Sequence, residues 1–498
     1  MNGQLKYGAV LSYASLGINM LIGLIYTPWM INSIGRESFG LYTLAHSIIT
    51  LFVFDFGLSA AVTRFVSTYI AEDRPDKVAN FLGITTKIYL IISTLLFISL
   101  TAFYFFIPEV YDKLSPVEIE QFKVVYVIAA AFSVISFPFI PLNGILIANE
   151  KMIQLKICEV VHKLVIVGTM STCLLLGYGL YALVSVYAFA GIVMILLKLY
   201  CIRRYTQTAV NIRYSNRVER NSILKFSGWT TVVAISQRMI FNITPSILGI
   251  MSGSVSIAIF GIATTIEGYT YSFASALNGL FYPKISRIMV KEDGNVLPLM
   301  IKVGRIQILI ISTIFIGLIC VGQDFIRIWV GEHFLESYWC ILLIVFPSVV
   351  HLSQEIALSS VILANKVKYQ AYVFMIMAAA NIAIAFPLAK MFGAVGVSIS
   401  ICAAYLLRTI GMNIIFRKQL NIDIAQFFRQ TFLKLSIPIV AVTALGIVLS
   451  QMFEANNWPL FIAKGCILCG IIFLTYWLFC LNGEEKALLK SFFKRRKQ

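Results

Sequence analysis

Long, nearly unbroken apolar stretches alternate with short polar segments along the whole chain. Stretches long enough to cross a bilayer as helix fall near residues 8–31, 39–66, 81–107, 122–148, 154–176, 180–202, 222–250, 255–283, 298–322, 337–364, 368–389, 393–416, 432–453 and 458–481. The pattern predicts an all-α polytopic membrane protein of about fourteen transmembrane helices.

Charge in the connecting segments gives these helices a direction. Every second connection is basic: Arg74 and Lys77; Lys151 and Lys156; the run from Arg203 to Lys225; Lys284, Arg287 and Lys291; Lys366 and Lys368; then Arg417, Lys418 and Arg429. The intervening ones are poor in basic residues or acidic, as in Glu109, Asp112, Glu118 and Glu120, or Asp324, Glu332 and Glu336. The bias of Lys and Arg toward cytoplasmic segments therefore predicts that both termini are cytoplasmic and that the number of spans is even. Residues Met1–Tyr7 are short and polar, and the apolar run behind them is too long for a signal peptide, so it is expected to stay as the first helix.

Composition narrows the class. Hydrophobic residues make up 59% of the 498 residues and charged residues 13%, with a mean hydropathy of +0.86. A soluble domain carries about a quarter charged residues, so most of this chain must be solvated by lipid. The net charge of +17 falls in the connections and in a terminal cluster, Lys494–Lys497, which fits anionic headgroups and argues against a nucleic-acid partner. The nine cysteines lie mostly in apolar runs, and Cys466-x-x-Cys469 has no second ligand pair, so it reads as packing. No cofactor and no metal are expected.

The chain also repeats itself. Pro28 corresponds to Pro245, Phe39-Gly40-Leu41 to Phe260-Gly261-Ile262, and Arg64 to Arg287. Farther along, Leu146-Ile147-Ala148-Asn149 matches Ile362-Leu363-Ala364-Asn365, and Gly179-Leu180-Tyr181-Ala182 matches Gly393-Ala394-Val395-Gly396. Six spans per repeat make the halves parallel, a plan suited to two lobes rocking about a central cavity. The expected divisions are an N-lobe at 1–210, a C-lobe at 211–420 that opens on the basic linker, and an appended helix pair with a basic tail at 421–498.

Several of these segments carry a family resemblance. They are Thr27-Pro28, Gly35-x-x-x-Phe39-Gly40-Leu41-Tyr42, Asp55-Phe56-Gly57-Leu58 followed by Arg64-Phe65, Ala148-Asn149, and Gly177-x-Gly179-Leu180. Together they resemble the polysaccharide-transporter branch of the multidrug/oligosaccharidyl-lipid/polysaccharide (MOP) exporter superfamily, the Wzx-type repeat-unit flippases. The resemblance implies two six-helix lobes around a V-shaped cavity in the bacterial cytoplasmic membrane. Its implied substrate is an undecaprenyl-pyrophosphate-linked oligosaccharide, moved by alternating access from the cytoplasmic to the outer leaflet for O-antigen, capsule or exopolysaccharide synthesis. Membrane lipids, a polysaccharide polymerase and chain-length machinery are the implied partners. The last two helices look like the pair that lines a lipid-tail groove in related lipid II flippases.

Ionisable residues inside spans are costly and mark the candidate sites. Arg238, beside Gln237, lies mid-span in the seventh helix and Glu267 mid-span in the eighth. Either Arg238 meets the pyrophosphate, with Glu267 holding it when empty or exchanging a coupling cation, or the two form a structural ion pair. Asp55, with His46 earlier in the same helix, is a candidate for substrate or proton binding, against a helix-end hydrogen bond. His351 and Glu355, with Gln354 between, have the spacing of one helix face and are candidates for cation or proton coupling. Glu159 and Lys163 are expected to pair beside His162; Lys163 and Lys87 can recruit headgroups near the cytoplasmic face, and Lys464 is expected to snorkel. Tyr269 and Tyr271, with Trp229 near Arg238, offer flat faces for sugars, although aromatics are common at membrane interfaces.

Two other functions compete. A cation-coupled multidrug exporter of the same superfamily fits twelve spans and an acidic, aromatic cavity better than fourteen spans and a cavity arginine. A membrane glycosyltransferase or polymerase expects a long external loop with clustered catalytic residues, whereas the outer connections here are short and no nucleophile arrangement or phosphate-cradling glycine loop is visible. The sequence therefore predicts a carrier and not an enzyme.

Overall fold

Proline, glycine and capping side chains punctuate the apolar runs, and in the computed structural model they divide the chain into helices; no strand forms among the described residues. The structure describes residues 3–52, 58–206, 208–275, 281–291, 295–452, 454–483 and 485–486. In order, the helices are α1 (Gly3–Ile34), α2 (Arg36–Phe52), α3 (Leu58–Ala71), α4 (Pro75–Val110), α5 (Pro116–Ser136), α6 (Leu142–Ala148), α7 (Met152–Leu175), α8 (Leu180–Tyr205), α9 (Arg217–Phe241) and α10 (Thr244–Met251). They continue as α11 (Ser254–Ser275), α12 (Tyr282–Lys291), α13 (Leu297–Val330), α14 (Glu336–His351), α15 (Glu355–Leu363), α16 (Val367–Leu420), α17 (Ile424–Phe428), α18 (Lys434–Met452) and α19 (Trp458–Thr475). Each of the predicted apolar stretches falls on helix in its described part. Among the described residues, nine helical stretches are both long and apolar enough to cross a membrane.

Local chemistry explains where helices begin and break. Ser115 and Glu118 form a reciprocal capping box at the start of α5, with Glu118 Oε2 accepting from the Ser115 amide at 2.8 Å and Pro116 in the first turn. Asn457 caps α19 by accepting from the Leu460 amide at 3.0 Å. Between α5 and α6 the sequence Phe137-Pro138-Phe139-Ile140-Pro141 tightens into a 3-10 turn, because each proline removes an amide donor. Pro245 likewise separates α9 from α10. Helices also run beyond the apolar stretches: α4 starts at Pro75, whose first turn contains Asp76, whereas its apolar run begins near 81. Hydropathy marks the part of a helix in hydrocarbon, and the helix itself continues into the polar layer.

The eleventh and twelfth predicted spans form the single run α16, interrupted at Gly393 with φ 52° and ψ −127°, a conformation that a side chain would strain. Such left-handed positions recur at matched places. Gly35 and Gly253, Glu150 and Asn365, and Gly177 and Gly393 all have positive φ, the members of each pair lying 215 to 218 positions apart. Glu150 and Asn365 close α6 and α15 in the same way: the Lys151 amide reaches the Leu146 carbonyl and the Lys366 amide reaches that of Val361.

The chain separates into two compact units. One comprises residues 29–261 and 371–400, the other residues 1–28, 262–370 and 401–498.

In the second unit, α13 is tied to the last helices by two buried ion pairs. Arg305 donates to Glu485 at 2.9 Å and to the Cys480 carbonyl at 2.7 Å. Lys464 does not snorkel: its ammonium donates to Asp324 at 2.6 Å and to the Ser450 carbonyl at 3.2 Å, with the side chain only 4% exposed. Snorkelling suits a lysine facing lipid alone; here a carboxylate on the facing helix supplies a buried partner, and apolar packing around Ile316, Cys320, Val442 and Leu468 seals it. Lys464→Met removes the close partner of Asp324 and leaves it only Arg327 at 4.0 Å, and is expected to cost about 3 kcal/mol, read as a lowered unfolding midpoint in detergent. Combining it with Asp324→Leu should restore most of the loss; a double variant no more stable than the single one would show that the pair is not what holds these helices.

Candidate functional site

In the unit of residues 29–261 and 371–400, α2, α5, α6, α7, α8 and α9 enclose a cavity of about 370 Å³. α8 comes close to α5 because Gly191 has no side chain: a Cβ there would lie 2.2 Å from the Phe132 ring. Among the described residues the wall carries two cations, Lys198 from α8 and Arg238 from α9, with Thr50, Ser136, Asn143 and His162 as further polar residues and no carboxylate. The Arg238 guanidinium donates to the Thr50 carbonyl. Phe132, Phe139 and Tyr187 form the aromatic part, and Tyr187 rests edge-on against His46 with ring centres 5.0 Å apart. Nε2 of His162 and Oδ1 of Asn143 are buried and have no hydrogen-bond partner among the described residues.

Such a lining suits an anion. Guanidinium and ammonium groups removed from bulk water attract phosphate or carboxylate far more strongly than they would on a surface.

A second polar cluster lies in the other unit. Glu267 and Tyr271 on α11, His351 at the end of α14, Glu355 at the start of α15, and Tyr405 and Arg408 on α16 belong to it. The charges of Glu267, Glu355 and Arg408 all act on the Tyr271 phenol. The Arg408 guanidinium lies 5.7 Å over the Tyr405 ring, and His351 packs on that ring at 5.0 Å. Nδ1 of His351 is bonded to the Pro347 carbonyl at 3.0 Å, and Gln354 donates to Asn413 at 2.8 Å. A 3-10 turn at Leu352–Gln354 separates His351 from Glu355, so they flank a tightened turn and do not share one continuous helix face. The Ser353 hydroxyl, bonded back to the Val350 carbonyl, supports that turn.

The residues singled out from sequence therefore divide. Arg238 lines the cavity, and Gln237 beside it is exposed. Glu267, Tyr271, His351 and Glu355 meet in the cluster of the other unit. Asp55 lies outside the described residues. Lys87 donates to the Tyr214 carbonyl at 3.1 Å, so it holds the basic linker, and Lys163 is exposed. Glu159 pairs with Lys156 at 2.8 Å in place of Lys163, since both spacings lie on one helix face and Lys156 is the nearer by a residue. Tyr269 packs against Gly23, and Trp229 against Tyr372 with ring centres 5.5 Å apart. Lys198 and Arg408 were missed. Both stand alone in apolar runs, Ile195-Leu196-Leu197-Lys198-Leu199 and Leu406-Leu407-Arg408, the same signal that marked Arg238.

Helices of spanning length packed around a cavity define a polytopic membrane protein, and solved structures share its fold. The lipid II flippase MurJ, in an inward closed conformation, superposes with a TM-score of 0.75 at 15% identity, over 94% of this chain and 98% of that one. An inward-facing multidrug resistance MATE family transporter of the MOP superfamily gives 0.63 at 14% identity, over 81% and 94%. The chain belongs to the polysaccharide biosynthesis protein family, whose pattern matches residues 5–289. Similar proteins include one named "Putative O-antigen transporter" in Escherichia coli (strain K12), 24% identical over 425 residues that cover 79% of this chain and 92% of that protein. Another of that name, from Shigella flexneri, is 22% identical over 334 residues, covering 65% and 76%.

Proposed function

We propose that this protein is a flippase of the bacterial cytoplasmic membrane that carries undecaprenyl-pyrophosphate-linked oligosaccharide repeat units from the cytoplasmic to the outer leaflet. The carrying observation is the cavity at Arg238: it lies among helices of spanning length and two cations, Arg238 and Lys198, are in its lining, as an anionic headgroup requires. Membership of the polysaccharide biosynthesis family and the likeness to proteins named O-antigen transporters support the choice of cargo. In this reading two parallel six-helix lobes, residues 1–210 and 211–420, alternate access to the cavity, and residues 421–498 supply an appended pair beside which the lipid tail runs. The cluster of Glu267, His351 and Glu355 is the proposed place for the coupling cation or proton. The protein transports and leaves the chemistry of chain building to a polymerase and its chain-length partner.

A multidrug exporter is the second reading, favoured by the likeness to the MATE fold. Deleting the gene in its native strain separates the two. The expected result is that lipid-linked oligosaccharide accumulates on the cytoplasmic face and surface polymer is lost; drug sensitivity without such accumulation would establish the exporter instead.

A further inference from the structure

All nine cysteines are free thiols, and two of them meet across a pair of helices. Cys158 stands near the start of α7 and Cys201 near the end of α8, with their sulfurs 3.8 Å apart. Cys158 is 2% exposed, whereas Cys201 is partly open. The basic connections beside them, Lys151 with Lys156 and the run from Arg203, assign both thiols to the cytoplasmic ends of their helices. At the opposite ends α7 and α8 are already joined by a short turn through Gly177 and Gly179. Helical spacing ties the pair to the cavity. His162 is one turn beyond Cys158 and Lys198 one turn before Cys201, so each thiol shares a helix face with a residue of the lining. The charge of Lys198 also acts on the Cys158 thiol, and it offsets part of what burial costs the reactive thiolate.

A single buried cysteine packs as a small apolar residue, but two in contact are a dithiol. A disulfide places its sulfurs about 2.0 Å apart, so side-chain rotation has to close a gap of about 1.8 Å. The oxidant that suits the site is a hydroperoxide, small enough to reach the partly open Cys201. The Cys201 thiolate attacks the O–O bond and becomes a sulfenic acid, while the other oxygen leaves as water or an alcohol. The Cys158 thiolate then attacks that sulfur and expels its hydroxyl as water. Two thiols thereby lose two electrons and two protons, and the peroxide takes up both. The new bond draws α7 and α8 together one turn from His162 and Lys198, and it pins at the cytoplasmic end two helices already joined at the other.

We propose that Cys158 and Cys201 are a hydroperoxide-oxidisable dithiol whose disulfide shuts off transport through the neighbouring cavity. The shut-off rests on the flippase reading; the disulfide itself does not.

The test uses the full chain, reduced and reconstituted in liposomes, with hydrogen peroxide as the probe. After the remaining thiols are blocked with a maleimide, mass spectrometry of a non-reducing digest should find the Cys158 and Cys201 peptides linked, and separate again after dithiothreitol. Flipping of a fluorescent undecaprenyl-diphosphate-linked sugar should fall by about tenfold or more on oxidation, because the pinned wall withholds one of the two states, and should recover on reduction. Cys158→Ala and Cys201→Ala should each flip at the wild-type rate before and after peroxide; if one is poorly folded by its unfolding midpoint, the other carries the same expectation. Peptides that stay unlinked, or a Cys201 oxidised only to the sulfinic acid, overturn the dithiol. Inhibition that persists in both alanine variants, or linked peptides with unchanged flipping, overturns the shut-off. Reduced wild type that flips no such lipid, while its peptides still link on oxidation, sinks the flippase reading and the shut-off with it and leaves the dithiol standing.

Discussion

If the protein is the proposed flippase, Arg238→Glu is expected to abolish surface-polysaccharide export while the protein stays folded in the membrane. The guanidinium of Arg238 donates to the Thr50 carbonyl, and it is one of two cations among the described lining residues of the cavity. Reversing its charge sets a carboxylate against a carbonyl oxygen and against the headgroup that the cavity is proposed to receive. Losing a charged hydrogen bond alone costs roughly tenfold to a hundredfold in affinity, and repulsion of an anion in a poorly solvated site adds to it. Arg238→Ala should therefore lower export by about that factor, and Arg238→Glu should take it below detection. Arg238→Lys keeps the charge but loses the planar fork, so it should fall between wild type and alanine. The measurement is surface polymer by gel or antibody, normalised to the amount of protein in the membrane fraction. Normal polymer in Arg238→Glu would remove this residue from the transport path.

The sequence makes the spans legible because hydrocarbon imposes a length and an apolar composition on every helix that crosses it. It does not show where the helices end, since α4 continues past its apolar run into polar residues that water or headgroups can solvate. The face a charge occupies is harder still. Arg238 and Lys198 carry the same local signal, a lone cation among apolar residues, but only the packing of α8 and α9 around one cavity brings them to a common wall. The reverse holds for Lys464, whose position near a helix end suggests snorkelling. Its partner Asp324 is 140 residues away in sequence, and no local pattern links the two. Glu267, His351, Glu355 and Arg408 are each legible as ionisable groups inside apolar runs, whereas the fact that Arg408 from α16 acts on the same phenol as the two carboxylates is found only through the fold.

Gly40→Ala should stop the outer end of the same unit from closing and should cut export by an order of magnitude or more. Gly40 lies in the second turn of α2, at the end that the charge pattern assigns to the outside. A Cβ there would stand 2.1 Å from the backbone oxygen of Ser254 and 2.9 Å from its carbonyl carbon. Backbone cannot swing aside as a side chain can, so α2 and the start of α11 would have to separate. The neighbouring contacts are also tight, though less so: a Cβ on Gly249 would meet the Tyr111 ring at 2.8 Å, and one on Gly261 would meet Thr43 at 2.9 Å. Ser254 also donates its hydroxyl to Glu118 at the capped start of α5, so a shift at Gly40 loosens that bond as well. On the proposed alternating-access reading, this seam parts and re-forms in each cycle. Overpacking of this kind costs about 1–3 kcal/mol, which lowers the population of the closed arrangement roughly fivefold to more than a hundredfold. A single cysteine introduced at Thr50 in a cysteine-free background, probed from outside with an impermeant maleimide, should then react faster by that factor in Gly40→Ala than in the parent. Gly168→Ala, where a Cβ meets nothing within 4 Å, is the control and should leave both labelling and export unchanged. Unaltered labelling together with full export in Gly40→Ala would show that α2 and α11 do not form the outer seal.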